Sequence, residues 1–259
     1  MRIVEIFSPR NQTFKTFLKL TGVRGIRQYR MAILSGPRQT EEVLEEFPER
    51  CEAIIFSPDH SPPVRTGTGH IRRYCLDQGL FRQLDISGTD QPLLVVRFGT
   101  FPRFSPAQPI PGCTLCIPFQ DPANVGSVIR TAAGLGVSRV VLLKEAAHPF
   151  HPRSTRAAGS SIFRIPLFSG PSLKQLSVSG APLITLSPDG EKIAGYRFPS
   201  DFYLVPGLEG PGVPASLESG TCLAIPMKNG VKSLNAAMAT GIALYLWQMG
   251  VDRGALSRS

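Results

Sequence analysis

The sequence predicts an α/β protein of two domains, and three observations lead to this prediction. Short apolar runs that suit buried strands alternate with stretches of helical periodicity along the 259 residues. A chain of this length can bury two modest hydrophobic cores. Residues 104–112 are dense in proline, which favours a stiff, extended connection. We therefore expect a smaller domain at residues 1–103, a linker at 104–112 and a second domain at 113–259.

The smaller domain is predicted from alternating patterns in the first hundred residues. Residues 1–36 read as a basic helix followed by a strand, and Glu41 and Glu42 favour the first turn of a helix that begins at Thr40. Residues 57–70 are rich in Pro, Gly, Ser and Thr and predict a loop. The predicted elements are strands at 31–34, 51–56 and 92–98 and helices at 40–47 and 72–84.

The second domain is predicted around residues 121–143, which read as loop, helix, turn and strand. Asn124 is a suitable helix N-cap, and apolar residues follow with helical spacing, so that Arg130 points roughly opposite the apolar face. Across this domain we expect strands at 114–119, 140–143, 182–186, 202–205 and 222–225 and helices at 124–134, 171–178 and 234–248. Polar loops that follow buried strands of an open α/β sheet commonly bind ligands.

The charge of the chain is positive and unevenly distributed. The net charge is +9, and residues 1–40 hold eight Lys or Arg against one Glu, whereas residues 41–52 hold six Glu and one Arg. A basic excess is often no more than a solvated surface. Its concentration in one segment favours a nucleic-acid partner, because clustered cations release counterions from phosphates.

Cysteine content and hydropathy indicate the compartment in which we expect the protein. Five cysteines, an odd number, without a signal-peptide pattern at the N-terminus, predict reduced thiols in a cytoplasm. Cys113-x-x-Cys116 lies in an apolar run and has no second pair, so we expect a buried strand there and no metal site. No apolar run approaches ~18 residues, so we expect no transmembrane helix.

Two further loops have compositions that suit a binding site. Residues 204–214 contain three glycines, three prolines and one acid, Glu209, and cannot continue a helix or strand. Residues 225–235 read as a turn that leads to a helix capped by Ser233, with Asn235 in the first turn, where free backbone N–H groups suit an acceptor or anion. Each loop alone is readily explained as a turn or a cap. Three such loops after three strands of one domain favour a functional site.

Together these loops resemble the SpoU (TrmH) family of RNA 2′-O-ribose methyltransferases, in the SPOUT superfamily. Three family motifs occur in order across about 110 residues, and the N-terminal Ser8-Pro-Arg-Asn11 with Lys15 matches the family's smaller RNA-binding α/β domain more loosely. The motifs are Asn124-x-Gly126 with Arg130, Gly207-Leu-Glu209-Gly210-Pro-Gly212, and Ile225-Pro-Met227 with Ser233-Leu-Asn235. Three departures stand out: Leu208 precedes the glutamate, Pro206 precedes the first glycine of the second motif, and residues 156–160 read Arg-Ala-Ala-Gly-Ser.

The resemblance implies a fold, a cofactor and a set of site residues. The fold would be a parallel sheet whose C-terminal part forms a trefoil knot, and the knot would bind S-adenosylmethionine. The protein would be a homodimer whose active site lies near the subunit interface. Implied catalytic residues are Asn124, Arg130, Glu209, Ser233 and Asn235. Implied cofactor-binding residues are Leu186, Gly207, Gly212, Ile225 and Leu234. Because an arginine side chain keeps its proton at neutral pH, we expect Arg130 to stabilise the developing alkoxide and hold a phosphate; it could act as a base only if desolvated near other cations.

The expected function is methyl transfer from S-adenosylmethionine to a ribose 2′-hydroxyl of RNA. Ribosomal RNA is preferred over transfer RNA because of the additional N-terminal domain. The alternatives are a tRNA 2′-O-methyltransferase and a non-catalytic RNA-binding or ribosome-assembly factor on the same fold, which Leu208 and the altered 156–160 segment make conceivable. A nucleotide-dependent oxidoreductase is disfavoured, since the chain lacks a dinucleotide-binding glycine fingerprint.

Overall fold

The computed structural model describes residues 3–60, 69–107, 111–207, 217 and 220–256. The chain forms two compact units, and each unit is made of two separate segments of the sequence. Unit 1 contains Met1–Thr100 together with His148–Phe163, and unit 2 contains Phe101–Ala147 and Arg164–Ser259. Each unit has its own sheet.

The elements, in chain order, are eleven strands and seven α-helices within the described ranges. The strands are β1 (Ile3–Ile6), β2 (Met31–Leu34), β3 (Cys51–Phe56), β4 (Arg72–Leu76), β5 (Leu93–Arg97), β6 (Cys113–Ile117), β7 (Arg139–Leu142), β8 (Leu167–Ser169), β9 (Leu183–Lys192), β10 (Phe202–Pro206) and β11 (Thr221–Ala224). The helices are α1 (Gln12–Lys19), α2 (Val23–Tyr29), α3 (Pro37–Glu46), α4 (Gln78–Leu84), α5 (Pro122–Gly134), α6 (Pro152–Ala158) and α7 (Ala236–Leu256).

Unit 1 is built on a mixed five-stranded sheet of order β1-β4-β3-β5-β2. Strands β1, β4 and β3 are parallel, and β5 runs antiparallel to both β3 and β2. Helices α1 and α4 cover one face, because their apolar residues recur at helical spacing and pack on alternate residues of the strands. The core on that face includes Phe14, Phe17, Ile55 and Phe81, all buried.

The segment 148–163 of unit 1 lies against strand β2, which is an edge of this sheet. Thr155 of α6 is buried, and its hydroxyl donates a hydrogen bond of 2.9 Å to the carbonyl of Ile33. A side-chain donor therefore satisfies a backbone acceptor of the edge strand, which limits pairing with another chain there. Burial of His148, followed by the charge of nearby Arg27, lowers the pKa of this histidine to about 4.

Unit 2 is built on a six-stranded sheet of order β11-β9-β10-β6-β7-β8, in which every pair is parallel. The predicted parallel-sheet α/β architecture is confirmed. Parallel strands buried on both faces read as continuous apolar runs, which explains why the sequence marks β6, β7 and β10 so clearly. Cys113 and Cys116 lie within fully buried β6, as predicted, and burial raises the pKa of the Cys116 thiol to about 12.

The two faces of the unit 2 sheet are covered differently. Cys116, Val141 and Tyr203 pack on one face with Leu173 and Leu176 from a loop and a short 3₁₀ turn. On α5, the buried apolar side chains are Val125, Val128, Ile129 and Ala132. Helix α7 packs against α5, and its Trp247 meets Phe202 of β10 edge-on at 5.6 Å between ring centroids.

Strand β9 contains an interruption that shapes the edge of this sheet. Along β11, the partner on β9 jumps from Thr185 to Glu191 between two successive residues, so residues 186–190 leave the pairing with β11. The strands come very close where pairing resumes: a Cβ on Gly190 would stand 2.6 Å from the carbonyl oxygen of Cys222. Glycine is therefore required at that position.

The helix predicted to begin at Thr40 begins three residues earlier, at Pro37, so Glu41 and Glu42 lie after its first turn. Two other predicted helices are not continuous helices in the structure. Residues 72–84 form strand β4 followed by α4, because the alternating pattern of β4 and the N-cap Asp77 divide the segment. Residues 171–178 form only a 3₁₀ turn at Leu173–Gln175. None of the helices in the described ranges combines the length and apolar character needed to cross a bilayer.

Gly25 of α2 provides a test of how unit 1 packs. A Cβ at this position would overlap the backbone carbonyl of Lys19, so Gly25→Ala should destabilise the protein by about 1–3 kcal/mol despite the higher helix propensity of alanine. The matched change Gly134→Ala, at the end of α5, meets no atom within 4 Å and should be neutral or slightly stabilising. Thermal unfolding followed by circular dichroism measures both. Equal stability of the two variants would contradict the α1–α2 contact.

Candidate active site

A cavity of about 600 Å³ lies at the carboxyl ends of three neighbouring strands of unit 2, β11, β9 and β10. Helices α5 and α7 contribute residues from their first turns. The residues that line the cavity are Asp121, Asn124, Leu186, Ser187, Pro188, Pro206, Gly207, Leu223, Ile225, Met227, Lys232, Ser233, Leu234, Asn235, Ala236 and Ala239. Parallel strands present their carboxyl ends at one edge, so loops far apart in sequence converge there.

The first turn of α5 is held by Asp121, not by Asn124 as predicted. The Asp121 carboxylate accepts a hydrogen bond of 3.1 Å from the backbone N–H of Ala123, and Pro122 occupies the first helical position. The prediction was wrong because Asp and Asn are equally good N-caps, and Pro122 suits the first helical position, which makes Asp121 the cap. Asn124 is consequently inside the helix, 9 % exposed, with its side chain available to the cavity.

The first turn of α7 is held by Asn235, not by Ser233 as predicted. The Asn235 side-chain oxygen accepts hydrogen bonds from the backbone N–H groups of Ala237 and Met238, at 2.9 and 3.1 Å. Ser233 precedes the helix by three residues and lines the cavity. Serine and asparagine have similar N-cap preferences, so the sequence could not distinguish them.

The two predicted asparagines are directly joined. The Asn235 side-chain nitrogen donates a hydrogen bond of 3.0 Å to the side-chain oxygen of Asn124, although 111 positions separate them. Asn235 therefore caps α7 through its oxygen and contacts α5 through its nitrogen. This assigns the orientation of its amide, because only that orientation satisfies both partners.

The predicted cofactor-binding residues that the structure describes lie around the same cavity. Gly207 and Ile225 each follow the last paired residue of their strand, so their backbone polar groups lie beyond the sheet ladder. Leu186 is the last residue of β9 to pair with β10 before the interruption, and Leu234 immediately precedes the cap of α7. The wall thus combines apolar side chains with backbone donors and acceptors at strand ends, the composition typical of cofactor pockets.

Three predicted residues are not placed at the cavity. Arg130 lies on α5 and is exposed, and it does not line the cavity of its own chain. Six residues separate it from Asn124, which corresponds to ~9 Å along the helix and ~120° around it. Glu209 and Gly212, with Leu208 beside them, lie outside the described residues.

The structure also adds residues that the sequence reasoning missed. Asp121, Ser187 and Lys232 line the cavity. Asp121 followed by proline is a recognisable helix start, and this signal was available in the sequence. Ser187 belongs to the interrupted part of β9, and Lys232 to a loop, and neither had a sequence signal of its own.

This arrangement defines a class of protein: an α/β protein that binds a small organic molecule at the carboxyl edge of a parallel sheet. Polar side chains from α5 and α7 collect on one side of the cavity, and strand ends with apolar residues form the other. In the described ranges, no group of three His, Cys, Asp or Glu could hold a metal ion.

Comparison with known proteins defines the family. Residues 115–245 match the model of the SpoU rRNA Methylase family. The chain belongs to this family, and the resemblance drawn from the three motifs is confirmed. The same segment includes the three motifs and all described residues that line the cavity.

Two relatives illustrate the range of the similarity. The chain is 43% identical over 244 residues to the Ribosomal RNA small subunit methyltransferase G 2 of Syntrophobacter fumaroxidans, covering 94% of this chain and 49% of that protein. The chain thus spans about half the length of this relative, and the name of the relative refers to its full-length protein. It is 29% identical over 247 residues to the 23S rRNA (guanosine(2553)-2'-O)-methyltransferase RlmP of Bacillus subtilis, covering 93% of this chain and 98% of that protein.

A solved structure supports the fold. The AdoMet-bound rRNA methyltransferase from Sinorhizobium meliloti superimposes with a TM-score of 0.77 at 21% sequence identity, covering 95% of this chain and 98% of the other. At this identity the likeness concerns the fold alone.

The two candidate caps of α7 can be separated by experiment. Asn235→Ala removes two capping hydrogen bonds and the bond to Asn124, so unit 2 should lose about 1–2 kcal/mol. Ser233→Ala should change the free energy of unfolding by less than about 0.5 kcal/mol. The single tryptophan, Trp247, lies on α7 and reports urea unfolding by its fluorescence. A larger loss for Ser233→Ala would overturn the assignment of the cap.

Proposed function

We propose that this protein transfers a methyl group from S-adenosylmethionine to a ribose 2′-hydroxyl of RNA, with ribosomal RNA as the substrate class. The observation that carries this proposal is the cavity where Asn124, Ser233 and Asn235 face the ends of β9, β10 and β11. Family membership and the 2'-O activity in the name of the Bacillus subtilis relative support the same reaction.

The residues present fit S-adenosylmethionine. A volume of about 600 Å³ lies within the range of cofactor pockets. An adenine ring needs apolar walls and backbone hydrogen bonds at its edge, and Leu186, Ile225 and Leu234 offer both at strand and loop ends. We propose that these residues, with Gly207 and the undescribed Gly212, hold the cofactor.

When bound, S-adenosylmethionine supplies a methyl group on a sulfonium, which is open to direct displacement by an oxygen. The protein must then align the hydroxyl with the methyl carbon and assist loss of the hydroxyl proton. Amide and hydroxyl side chains are not bases at neutral pH, so Asn124, Ser233 and Asn235 act by holding the ribose. The hydrogen bond between the two asparagines restricts their orientation before RNA arrives. Glu209 is proposed to orient the guanidinium of Arg130 or the amide of Asn124.

The surface of α1 and α2 supports RNA as the partner. Lys15 and Lys19 are exposed one turn apart on α1, a like-charge spacing that costs stability unless an anion lies against it. Arg24, Arg27 and Arg30 are exposed on or next to α2. We propose that unit 1 is the RNA substrate-binding part of the chain. We propose that the protein acts in the cytoplasm, and the free cysteines in the described ranges are consistent with a reducing compartment.

A homodimer is supported by an apolar stripe on α7. Met238, Tyr245 and Met249 recur at positions i, i+7 and i+11, on one side of the helix, and are 61%, 54% and 36% exposed. Single exposed apolar residues need no explanation, but an aligned series on one helix favours an interface. We propose that a second copy covers this stripe, and that the C-terminal part of unit 2 forms the trefoil knot implied by the family.

The dimer also offers a role for Arg130. Helix α5 packs beside α7, with the Thr131 methyl 3.6 Å from the place of a Cβ on Gly241, one turn from Met238. Arg130 is thus exposed on a helix that adjoins the stripe. Since it does not line its own cavity, we propose that Arg130 serves the cavity of the partner subunit, where it stabilises the developing alkoxide and holds an adjacent phosphate.

The reaction is tested with S-adenosylmethionine that carries a radiolabelled methyl group and RNA separated into ribosomal and transfer fractions. We expect label in ribosomal RNA that survives alkaline hydrolysis, because a 2′-O-methyl group removes the hydroxyl that attacks the phosphate. Label that alkali releases as methylated base would contradict ribose methylation. Label confined to the transfer fraction would contradict the substrate class. Failure to label any RNA, from protein shown to bind the cofactor and tested also on assembling ribosomal subunits, would favour a non-catalytic binding factor.

The role of Arg130 is tested by mixing two inactive chains. Arg130→Ala and Asn124→Ala should each abolish transfer, and Arg130→Ala should leave cofactor affinity unchanged. When the two chains carry different tags and are purified together as a mixed dimer, one cavity regains Asn124 from its own chain and Arg130 from the partner. Activity should then return to about half of the parent value. A mixed dimer without activity would mean that Arg130 acts in its own chain, and failure to isolate any mixed dimer would contradict dimerisation.

A further inference from the structure

Two of the described residues that line the cavity, Asp121 and Lys232, carry charged side chains, and Asp121 already has a structural task. The Asp121 carboxylate caps α5 through Ala123. The Lys232 ammonium is exposed and, in the described part of the chain, has neither a hydrogen bond nor an ion pair. A lysine at the wall of a cavity, without an internal partner, is available to a ligand.

The position of Lys232 places it next to the residues that would hold the ribose. It immediately precedes Ser233 and lies three residues before Asn235, the cap of α7. Helix α7 has 21 residues, and the positive end of its dipole lies at the same place. The lysine and the helix terminus therefore both favour a negative group beside the polar side of the cavity.

RNA carries such a group beside the reacting atom. In a ribonucleotide, the 2′-hydroxyl is on the carbon next to the one that bears the 3′-phosphate. A compact ammonium on a flexible stem suits a phosphate as a point charge. Because Lys232 is exposed at the wall, it is accessible to a macromolecule as well as to a molecule enclosed by the cavity.

We propose that Lys232 is a positioning residue that binds the RNA phosphate adjacent to the target 2′-hydroxyl. This inference rests on the proposed methyl transfer to RNA and adds a residue that lies between the two parts of the third motif and belongs to neither. The phosphate contact fixes the ribose relative to Asn124 and Asn235, and it brings a positive charge close to the oxygen as its proton is lost.

The chain offers a matched control in the same loop. Lys228 is also exposed and lies four residues earlier, but it does not line the cavity. Lys228→Ala and Lys232→Ala therefore remove the same charge from the same segment and differ in position relative to the cavity. Lys232→Arg keeps the charge and serves as a rescue variant.

The experiment measures transfer kinetics on ribosomal RNA at several KCl concentrations and, separately, S-adenosylmethionine affinity by calorimetry. Lys232→Ala should raise the KM for RNA by roughly tenfold, the order expected for one charge-assisted contact. The dependence of log KM on log salt should become shallower by about 0.7–1, as expected for one lost phosphate contact. Affinity for S-adenosylmethionine should not change, Lys228→Ala should behave as the parent, and Lys232→Arg should recover most of the lost efficiency.

Other outcomes would overturn the inference, and they are distinguishable from failure of the proposed function. Weaker S-adenosylmethionine binding by Lys232→Ala would mean that the lysine holds the carboxylate of the cofactor. An equal effect of Lys228→Ala would mean that only the overall charge matters. If the parent is active and the Lys232→Ala variant has the same kinetics, the phosphate contact is excluded and the proposed function stands. A parent that methylates no RNA would contradict the proposed function itself.

Discussion

The Asn235 amide uses its oxygen to hold the first turn of α7 and its nitrogen to hold Asn124 in the first turn of α5. These helices follow different strands of one parallel sheet, so their N-termini lie at the same edge. A side chain that satisfies both can do so only if the strands, the turns and the start of each helix are all in place. The cavity wall on this side therefore depends on a single bidentate group. Loss of this side chain removes all three hydrogen bonds, of which the bond to Asn124 lies in a partly buried setting.

The opposite wall depends on where strands stop pairing. Leu186 and Pro206 are the last partners between β9 and β10, and β11 resumes pairing with β9 only at Glu191. Ser187 and Pro188 are among the residues that leave this pairing, and both line the cavity. The close approach at Gly190 returns the strand to the sheet after the interruption. A regular strand in place of residues 186–190 would continue the sheet and fill the space that the cavity occupies.

The sequence motifs predicted several of the described residues around the cavity, but they did not predict which residues cap its two helices. Apolar runs predicted β6, β7, β10 and β11 within one or two residues, because parallel strands buried on both faces leave a strong signal. The helix starts were wrong at Asn124 and Ser233, since Asp, Asn and Ser compete as caps on nearly equal terms and the geometry of the preceding strand decides among them. Helix α6 was missed because seven residues between loops carry little periodicity, and its burial depends on the distant strand β2. A contact between residues 122 positions apart leaves no local pattern to read.

Arg130 shows how a correct motif differs from a complete site. The motif places Asn124 and Arg130 on one helix, and helical geometry then separates them by ~9 Å and ~120°. Asn124 reaches the cavity of its chain, and Arg130 is exposed on α5, which packs against α7. If both residues serve one reaction, the proposed dimer accounts for it, because the surface that bears Arg130 would then meet a cavity from another chain. The stripe supplies a physical reason for that meeting, because covering Met238 and Tyr245 removes apolar surface from water. The spacing within one motif therefore argues for an oligomer more directly than composition or charge does.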